Sequence, residues 1–205
     1  MASQSRRLSA SQIARTRRTL SSGAVWVAEA GRGGSGPCIT GPDDNQLCAG
    51  ATGALTKISH GEQKRVLSGL PSIADPAIGG GDALGPHDVA LTHAGGVYFV
   101  VGLGANPAVR EQLGELGPAF GHLYKLWFGH VREIADIAGF EATENPDGSL
   151  PDSNAFSVVT HRGRTAVVDA GGNSLLRVRH SGSISTLAVF PPRLVPAPPG
   201  IPDLP

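Results

Sequence analysis

Short apolar stretches separated by glycine-containing turns recur along this chain, and this recurrence constrains its fold more than any other feature. One sheet cannot bury both of its faces alone, so repeated copies predict blades packed around a common axis, as in a β-propeller. The clearest copy has four predicted strands, which are Ala155–Val159, Thr165–Asp169, Ser174–Val178 and Ile184–Val189.

Two earlier copies have the same order of strands and turns. Trp26, Tyr98 and Val167 mark predicted equivalent positions, about 70 residues apart. A compact propeller repeat has about 40–50 residues, so each copy carries inserted loops, with a short helical piece predicted at Pro107–Leu116. The earlier strands are predicted at Gly23–Glu29, Gly53–Ile58, Gln63–Leu67, Pro86–Leu91, Val97–Val101, Leu123–Trp127 and Val131–Ile134, and the insertions at Gly31–Ala51, Leu103–Phe120 and Glu141–Ser153.

Composition supports an all-β fold class, a partial β-propeller of about three four-stranded blades with Gly/Pro-rich inserted loops. The 29 glycines and 16 prolines disfavour long helices, while 40% hydrophobic and 17% charged residues suit short strands and many turns. Three regions are predicted: residues 1–22 as a basic, disordered arm, residues 23–190 as the blades and residues 191–205 as a proline-rich tail.

The distribution of charge excludes several function classes. Net charge is zero, yet five arginines are the only charged residues before Glu29, so the rest of the chain is mildly acidic. An acidic body lacks the basic face that nucleic-acid binding requires. No apolar run reaches the roughly 20 residues of a membrane-spanning helix, and no apolar core of a signal peptide is visible, which leaves the cytoplasm as one possible location.

Several motifs in order resemble the ScyD/ScyE-type β-propeller proteins, named for genes of scytonemin-synthesis clusters. The resemblance covers Gly23 to about Pro205 and is carried by Val27–Cys38, Cys48–Ala54, Gly85–Val89, Glu144–Gly148 with Pro151–Asn154, Val168–Asn173 and Ser185–Arg193. It implies a six-bladed propeller, usually exported to an extracellular or periplasmic location, without a well-defined biochemical activity.

The resemblance also implies that this chain differs from family members at both ends and that it contains one disulfide bond. Family members have a signal peptide and continue beyond Pro205, so this chain is expected to be truncated at both ends. The match favours a disulfide between Cys38 and Cys48, which an oxidising compartment would permit. In a reducing compartment the two cysteines would remain free thiols.

Polar residues beside glycines at strand ends are the candidate site residues, because such positions present side chains at a propeller's central channel. They are Glu29, His87, Asp88, Asn154, Asp169 and Asn173. One hypothesis makes Glu29, Asn154 and Asp169 ligands of Ca²⁺, whose preferred donors are oxygens, with His87 as a general base. The alternative is that Asp and Asn form turns by hydrogen-bonding to nearby backbone.

Other catalytic motifs are incomplete. The Gly31–Gly36 segment lacks the Gly-Lys-Ser/Thr and the helix of a phosphate-binding loop, and the seven histidines lack the spacing of a zinc site. The leading hypothesis is therefore a non-catalytic propeller scaffold that binds a protein, a glycan or a small molecule. The alternatives are a metal-dependent hydrolase or lactonase and a nonfunctional fragment, and exposed blade faces predict self-association.

Overall fold

Three antiparallel sheets lie side by side in the computed structural model, which describes residues 14–19, 23–41 and 44–191. Their innermost strands contact one another, β1 (Ala14–Thr19) with β6 (Pro86–Leu91) and β6 with β10 (Ala155–His161). Apolar cores fill the spaces between neighbouring sheets. This is the radial arrangement of blades that the sequence predicts, and it confirms a partial propeller.

The first sheet departs most from the predicted blade. Its four main strands are β1, β2, β4 and β5, and the short β3 pairs with the outer part of β4. Strands β4 and β5 extend well beyond the predicted hairpin, and β3 and the start of β4 lie within the expected insertion Gly31–Ala51. The bounds are β2 (Val25–Glu29), β3 (Cys38–Thr40), β4 (Gln46–Ser59) and β5 (Glu62–Ala74).

The second and third sheets are four-stranded meanders that follow the sequence prediction closely. Several predicted strands, such as Pro86–Leu91 and Ile184–Val189, match to the residue, because alternating apolar residues and glycine turns fix both ends. The remaining bounds are β7 (Val97–Val101), β8 (His122–Trp127), β9 (His130–Asp136), β11 (Arg164–Asp169), β12 (Ser174–Val178) and β13 (Ile184–Val189).

The prediction of a disordered arm over residues 1–22 was wrong for residues 14–19. This segment forms β1 and pairs antiparallel with β2. Its sequence, Ala-Arg-Thr-Arg-Arg-Thr, has no apolar alternation, so the strand depends on backbone pairing that a hydrophobicity pattern does not reveal. The rest of the predicted arm and the tail beyond Pro191 lie outside the described residues.

The predicted equivalence of Trp26, Tyr98 and Val167 was wrong by one residue in the third sheet. Trp26 packs between the first and second sheets and Tyr98 between the second and third, whereas Val167 packs back against the second sheet. Strand pairing makes Ala166 the true equivalent. A shift of one residue places a side chain on the opposite face of a strand.

Helical pieces occupy two of the connections. A 3₁₀ segment spans Pro107–Ala119 and is interrupted at Gly114, which confirms the predicted short helix. An α-helix, α1 (Ile137–Glu144), joins the second sheet to the third and begins at Asp136, whose side chain accepts from the Gly139 N–H at 2.7 Å. A shorter 3₁₀ turn, Pro76–Ile78, precedes β6.

Candidate functional site

A cavity of about 390 Å³ lies where segments from all three sheets meet. Ligand sites in proteins are usually clefts of about 300–1,000 Å³ that contain a few fixed polar groups. The lining residues come from the start of β4, the β5–β6 connection, the loop after β7, the segment before β10 and the turn after β11. They are Asn45, Leu47, Asp82, Leu84, Gly104, Asp152, Asn154, Ala170 and Gly171.

The polar side chains that line this cavity are two carboxylates and two carboxamides, and three of them have an acceptor oxygen that no described donor reaches. The amide nitrogen of Asn45 donates to Asp75 at 3.3 Å, which leaves Oδ1 as its remaining polar atom. Within the described part of the chain, no donor reaches Oδ1 of Asn45, Asp152 or Asn154. Buried acceptors in proteins are usually paired, so these three oxygens are unsatisfied polar atoms in the wall of the cavity.

A buried acidic cluster lies directly behind the cavity, at the junction of the second and third sheets. Glu141 of α1 is 2% exposed, and its Oε1 has no partner among the described residues. The Asp152 N–H donates to this carboxylate. Gly172 permits the contact, since a Cβ there would lie 2.4 Å from Glu141 Oε2. Helix α1 is thereby tied to the cavity wall.

Burial and mutual repulsion perturb the acidic cluster. Burial raises the pKa of Glu141 to about 7, and the charges of Asp169, Asp147 and Asp152 add to this rise. Burial also raises the pKa of Asp152, to which the charge of Asp147 contributes. Among the described residues, none of the carboxylates of Asp82, Glu141, Asp152 and Asp169 forms a salt bridge. Above pH 7 the cluster therefore carries negative charge that no described cation neutralises.

Asp169 and Asp88 each hold backbone or hydroxyl groups in place. Asp169 accepts from the Asn154 N–H at 2.6 Å, from the Ser153 hydroxyl at 2.8 Å and from the Gly172 N–H at 3.3 Å. Burial nevertheless raises the pKa of Asp169 above its usual value. Asp88 accepts from the Ser157 hydroxyl at 2.7 Å and the Val158 N–H at 2.9 Å. Asp88 thus joins the inner strands of the second and third sheets.

His87 and Asn154 meet over Gly102. A Cβ on Gly102 would lie 2.3 Å from Asn154 Oδ1 and 2.4 Å from His87 Cε1, so only glycine fits there. The His87 ring, which is buried, packs edge-on against Phe156 with ring centroids 5.2 Å apart. Asn173 lies elsewhere and donates to Asp147 at 2.9 Å, which ties the β11–β12 turn to the loop after α1.

Glu29 is paired within the first sheet. It is 2% exposed and accepts hydrogen bonds from the Thr56 hydroxyl and from Nε and Nη2 of Arg65. Burial alone would raise the pKa of Glu29, but hydrogen bonds from Arg65 and Thr56 and the charge of Arg65 hold it below its usual value. Its carboxylate therefore stabilises the folded state as an anion.

We expect Arg65→Met to destabilise the protein by about 1–3 kcal/mol at pH 7, because the buried Glu29 carboxylate loses its charged partner. The loss of stability should lie toward the lower end of this range where water screens the pair, since the Arg65 side chain is 43% exposed. A carboxylate with a lowered pKa stabilises the fold above its unfolded pKa and loses that contribution as pH falls through the folded value. The difference between parent and variant should therefore be largest above pH 4.5 and shrink as pH falls below it, because a protonated Glu29 no longer needs the charge of Arg65. Urea unfolding from pH 3 to pH 8 measures both effects.

Lys64→Met is the matched control, since Lys64 is the exposed neighbour of Arg65 on β5. Equal losses in the two variants would contradict the assigned role of the Glu29–Arg65 pair.

The structure brings together only part of the predicted metal site. Asn154 and Asp169 are adjacent, whereas Glu29 is engaged by Thr56 and Arg65 of its own sheet. Within residues 14–19, 23–41 and 44–191, no three His, Cys, Asp or Glu side chains converge as metal ligands. The Ca²⁺ site stays a prediction that this geometry does not favour.

A second cavity, of about 660 Å³, lies beside the 3₁₀ segment. Apart from Glu111, its titratable groups contact one another: Arg110 contacts Asp136 at 2.8 Å, and His122 Nε2 lies 3.5 Å from Glu133. The Nδ1 of the same histidine lies 2.8 Å from the Phe120 carbonyl oxygen. These contacts attach the 3₁₀ segment to the second sheet. Fewer buried polar atoms lack a partner in this lining than in that of the first cavity.

The disulfide between Cys38 and Cys48 is present, as the family resemblance implies. It joins the edge strand β3 to β4 at the outer part of the first sheet. The β3–β4 turn then places Asn45, and the start of β4 places Leu47, in the cavity lining. The covalent bond is therefore part of the scaffold of the candidate site.

The site residues predicted from the sequence did not include Asn45, Asp82, Glu141 or Asp152. A glycine-rich region interrupted by isolated acidic and amide residues was the available signal for Asn45 and Asp82. No sequence pattern indicated that Glu141 belongs to the site, because a glutamate in a short helix is common. The turn interpretation is confirmed for Asp169, which accepts from Gly172 three residues later.

The fold and cavity together define a β-propeller with a polar cavity at its loop face. Neither a family model nor a curated protein matches the sequence. Among solved structures, a luciferin-regenerating enzyme aligns at 10% identity with a TM-score of 0.51, covering 87% of this chain and 47% of that chain. At this identity the similarity supports the fold alone.

Virginiamycin B lyase from Staphylococcus aureus aligns at 15% identity with a TM-score of 0.41, covering 86% of this chain and 55% of that chain. The chain thus spans about half the length of these two proteins. Across the described residues, no helix combines the length and apolar character needed to cross a membrane.

Proposed function

We propose that this chain is a β-propeller binding protein of the ScyD/ScyE type, whose cavity takes a small polar molecule without transforming it. The observation that carries this proposal is the cavity of about 390 Å³ in which acceptor oxygens lack donors. Its lining comes from separate loops held by rigid sheets, which is how many binding sites are built. The order of family motifs from Gly23 onward supports the family assignment.

A non-catalytic role is supported by the engagement of the acidic groups that a hydrolase would use. Glu29 is paired with Arg65, Asp169 accepts three hydrogen bonds, and Asp88 joins two strands. Groups that already stabilise the fold in this way are poorly placed to ligate a metal or to accept a substrate proton. This favours binding over metal-dependent hydrolysis.

An extracellular or periplasmic location is supported by the Cys38–Cys48 disulfide, because such bonds persist in oxidising compartments.

Self-association is supported by apolar side chains on the third sheet. More than 40% of the residue surface is exposed at each of Phe156, Val159 and Leu187. A partner that covers them would remove apolar surface from water.

A variant that fills the cavity tests the proposed function. Ala170 lines the cavity and is exposed, so Ala170→Trp should fill the cavity without disturbing the core. Saturation-transfer NMR with a panel of monosaccharides, amino acids and diamines should detect a bound compound in the parent protein and not in this variant.

Ser181→Trp is the control, because Ser181 is an exposed small residue in the β12–β13 turn. Binding that survives Ala170→Trp, or no binding by any member of the panel, would contradict the proposal. Hydrolysis of a lactone that depends on an added divalent ion would favour the hydrolase instead.

A further inference from the structure

The cavity of the proposed binding site has an electrostatic character that selects among small polar molecules. Its lining holds two carboxylates, Asp82 and Asp152, and two carboxamides, Asn45 and Asn154, but no Lys, Arg or His. Glu141 and Asp169 lie behind it, and no described salt bridge neutralises any of these carboxylates. A ligand that brings positive charge would therefore gain the most from this site.

The hydrogen-bonding pattern of the lining favours a ligand that donates. Oδ1 of Asn45, Asp152 and Asn154 are buried acceptors that no described group satisfies. Directly behind Asp152, the Oε1 of Glu141 is a further such acceptor on a side chain that is 98% buried. An ammonium group offers three donors and no acceptor, and a guanidinium group offers five. A neutral hydroxyl would satisfy fewer of these oxygens, because it also presents lone pairs to them.

Size and apolar lining distinguish an organic cation from a bare metal ion. Leu47 and Leu84 form an apolar part of the wall, which suits methylene groups and not a hydrated ion. Metal binding would need several ligands around one point, and no three His, Cys, Asp or Glu side chains converge in the described part of the chain. A volume of about 390 Å³ also exceeds what one ion requires.

We propose that this cavity binds a small organic cation, with Asp152 and Asp82 contacting a primary ammonium or guanidinium group and Leu47 and Leu84 contacting its carbon chain. This inference rests on the proposed binding function and specifies its ligand class. Above pH 7 the buried carboxylate of Glu141 supplies negative charge behind Asp152 without touching the ligand.

Cation binding should be linked to proton release. Asp147, Asp152 and Asp169 surround Glu141, and Asn173 contacts Asp147 from the β11–β12 turn. Their burial and mutual repulsion keep protons bound to Glu141 and Asp152 at pH values where free carboxylates are ionised. A bound cation favours the ionised forms. Affinity should therefore be several-fold higher at pH 8 than at pH 5.5.

Titration of the ¹⁵N-labelled protein with 1,4-diaminobutane, myo-inositol or CaCl₂ tests this proposal. The diamine is expected to shift the amide signals of Gly104, Ala170 and Gly171. Asp152→Asn should weaken its binding at least tenfold at pH 8, and Asp82→Asn provides a second variant if Asp152→Asn does not fold. Glu62→Gln removes an exposed charge at the distant β4–β5 turn and should leave the affinity unchanged.

The outcomes separate this inference from the proposed function. If myo-inositol binds and Ala170→Trp abolishes that binding while the diamine has no effect, the cation assignment fails and the binding function stands. Binding of Ca²⁺ alone, with loss in Asp152→Asn, would overturn the inference in favour of a metal site. If Glu62→Gln weakens the diamine as much as Asp152→Asn does, its binding reflects only overall charge, and the inference also fails.

Discussion

Replacing both cysteines, Cys38→Ser with Cys48→Ser, is expected to lower the free energy of unfolding by about 3 kcal/mol. The bond closes a short loop, and by the chain-entropy relation a loop of roughly ten residues contributes about this amount. The backbone pairing of β3 is short, with only Cys38–Cys48, Ile39–Leu47 and Thr40–Gln46 as paired positions. Urea unfolding under oxidising conditions measures the loss.

The effect should be concentrated where the bond lies. Amide exchange in residues 34–49 should accelerate more than in the third sheet, because β3 then depends on a short ladder. Dithiothreitol provides the control: it should destabilise the parent protein and leave the double variant unaffected. If the oxidised parent and the double variant unfold at the same urea concentration, the stabilising role of the disulfide is wrong.

Glu141→Gln is expected to stabilise the protein at pH 8 by on the order of 2–3 kcal/mol. The pKa of Glu141 is about 7 in the folded state, against an ordinary value of 4.5. The folded state therefore holds this proton more tightly than the unfolded chain does. Stability contributed by the protonated form is present below pH 4.5 and is lost as pH rises through 7. Glutamine keeps the size of the side chain and does not ionise.

The pH dependence distinguishes this effect from a general gain in packing. Unfolding in phosphate buffer without added amines should show a difference of under about 1 kcal/mol at pH 5 and the full difference at pH 8. Glu144→Gln is the control, since Glu144 is exposed near the end of the same helix. A gain of equal size at both pH values would contradict the assigned origin.

Strands could be predicted from sequence where local pattern and tertiary structure agree. Val97–Val101 and Ser174–Val178 were predicted to the residue, because apolar residues between turns leave little freedom in placing their ends. Strand β1 and the outer parts of β4 and β5 were not, because they are held by pairing with distant strands and by the disulfide. Those interactions leave no periodic signal in the segments themselves.

The candidate site was predictable only in part. Asn154 directly before a predicted strand and glycines after Asp169 indicated strand ends at the loop face, and the structure places the two residues in contact. The partner of Glu29 could not be inferred, since Arg65 is 36 residues away and becomes its neighbour only through the β2–β4–β5 register. The perturbation of Glu141 likewise depends on burial by chain segments that sequence alone does not bring together.

The innermost strands share one irregularity that bears on how such a protein can diversify. Their pairing skips a residue at the same place in each sheet, between Ala14 and Thr16, between Pro86 and Asp88 and between Ala155 and Ser157. The skipped residues, such as His87 and Phe156, stand outside the regular ladder. The side chains at these points therefore differ from one blade to the next, histidine in the second and phenylalanine in the third, while the ladders on either side keep the same register.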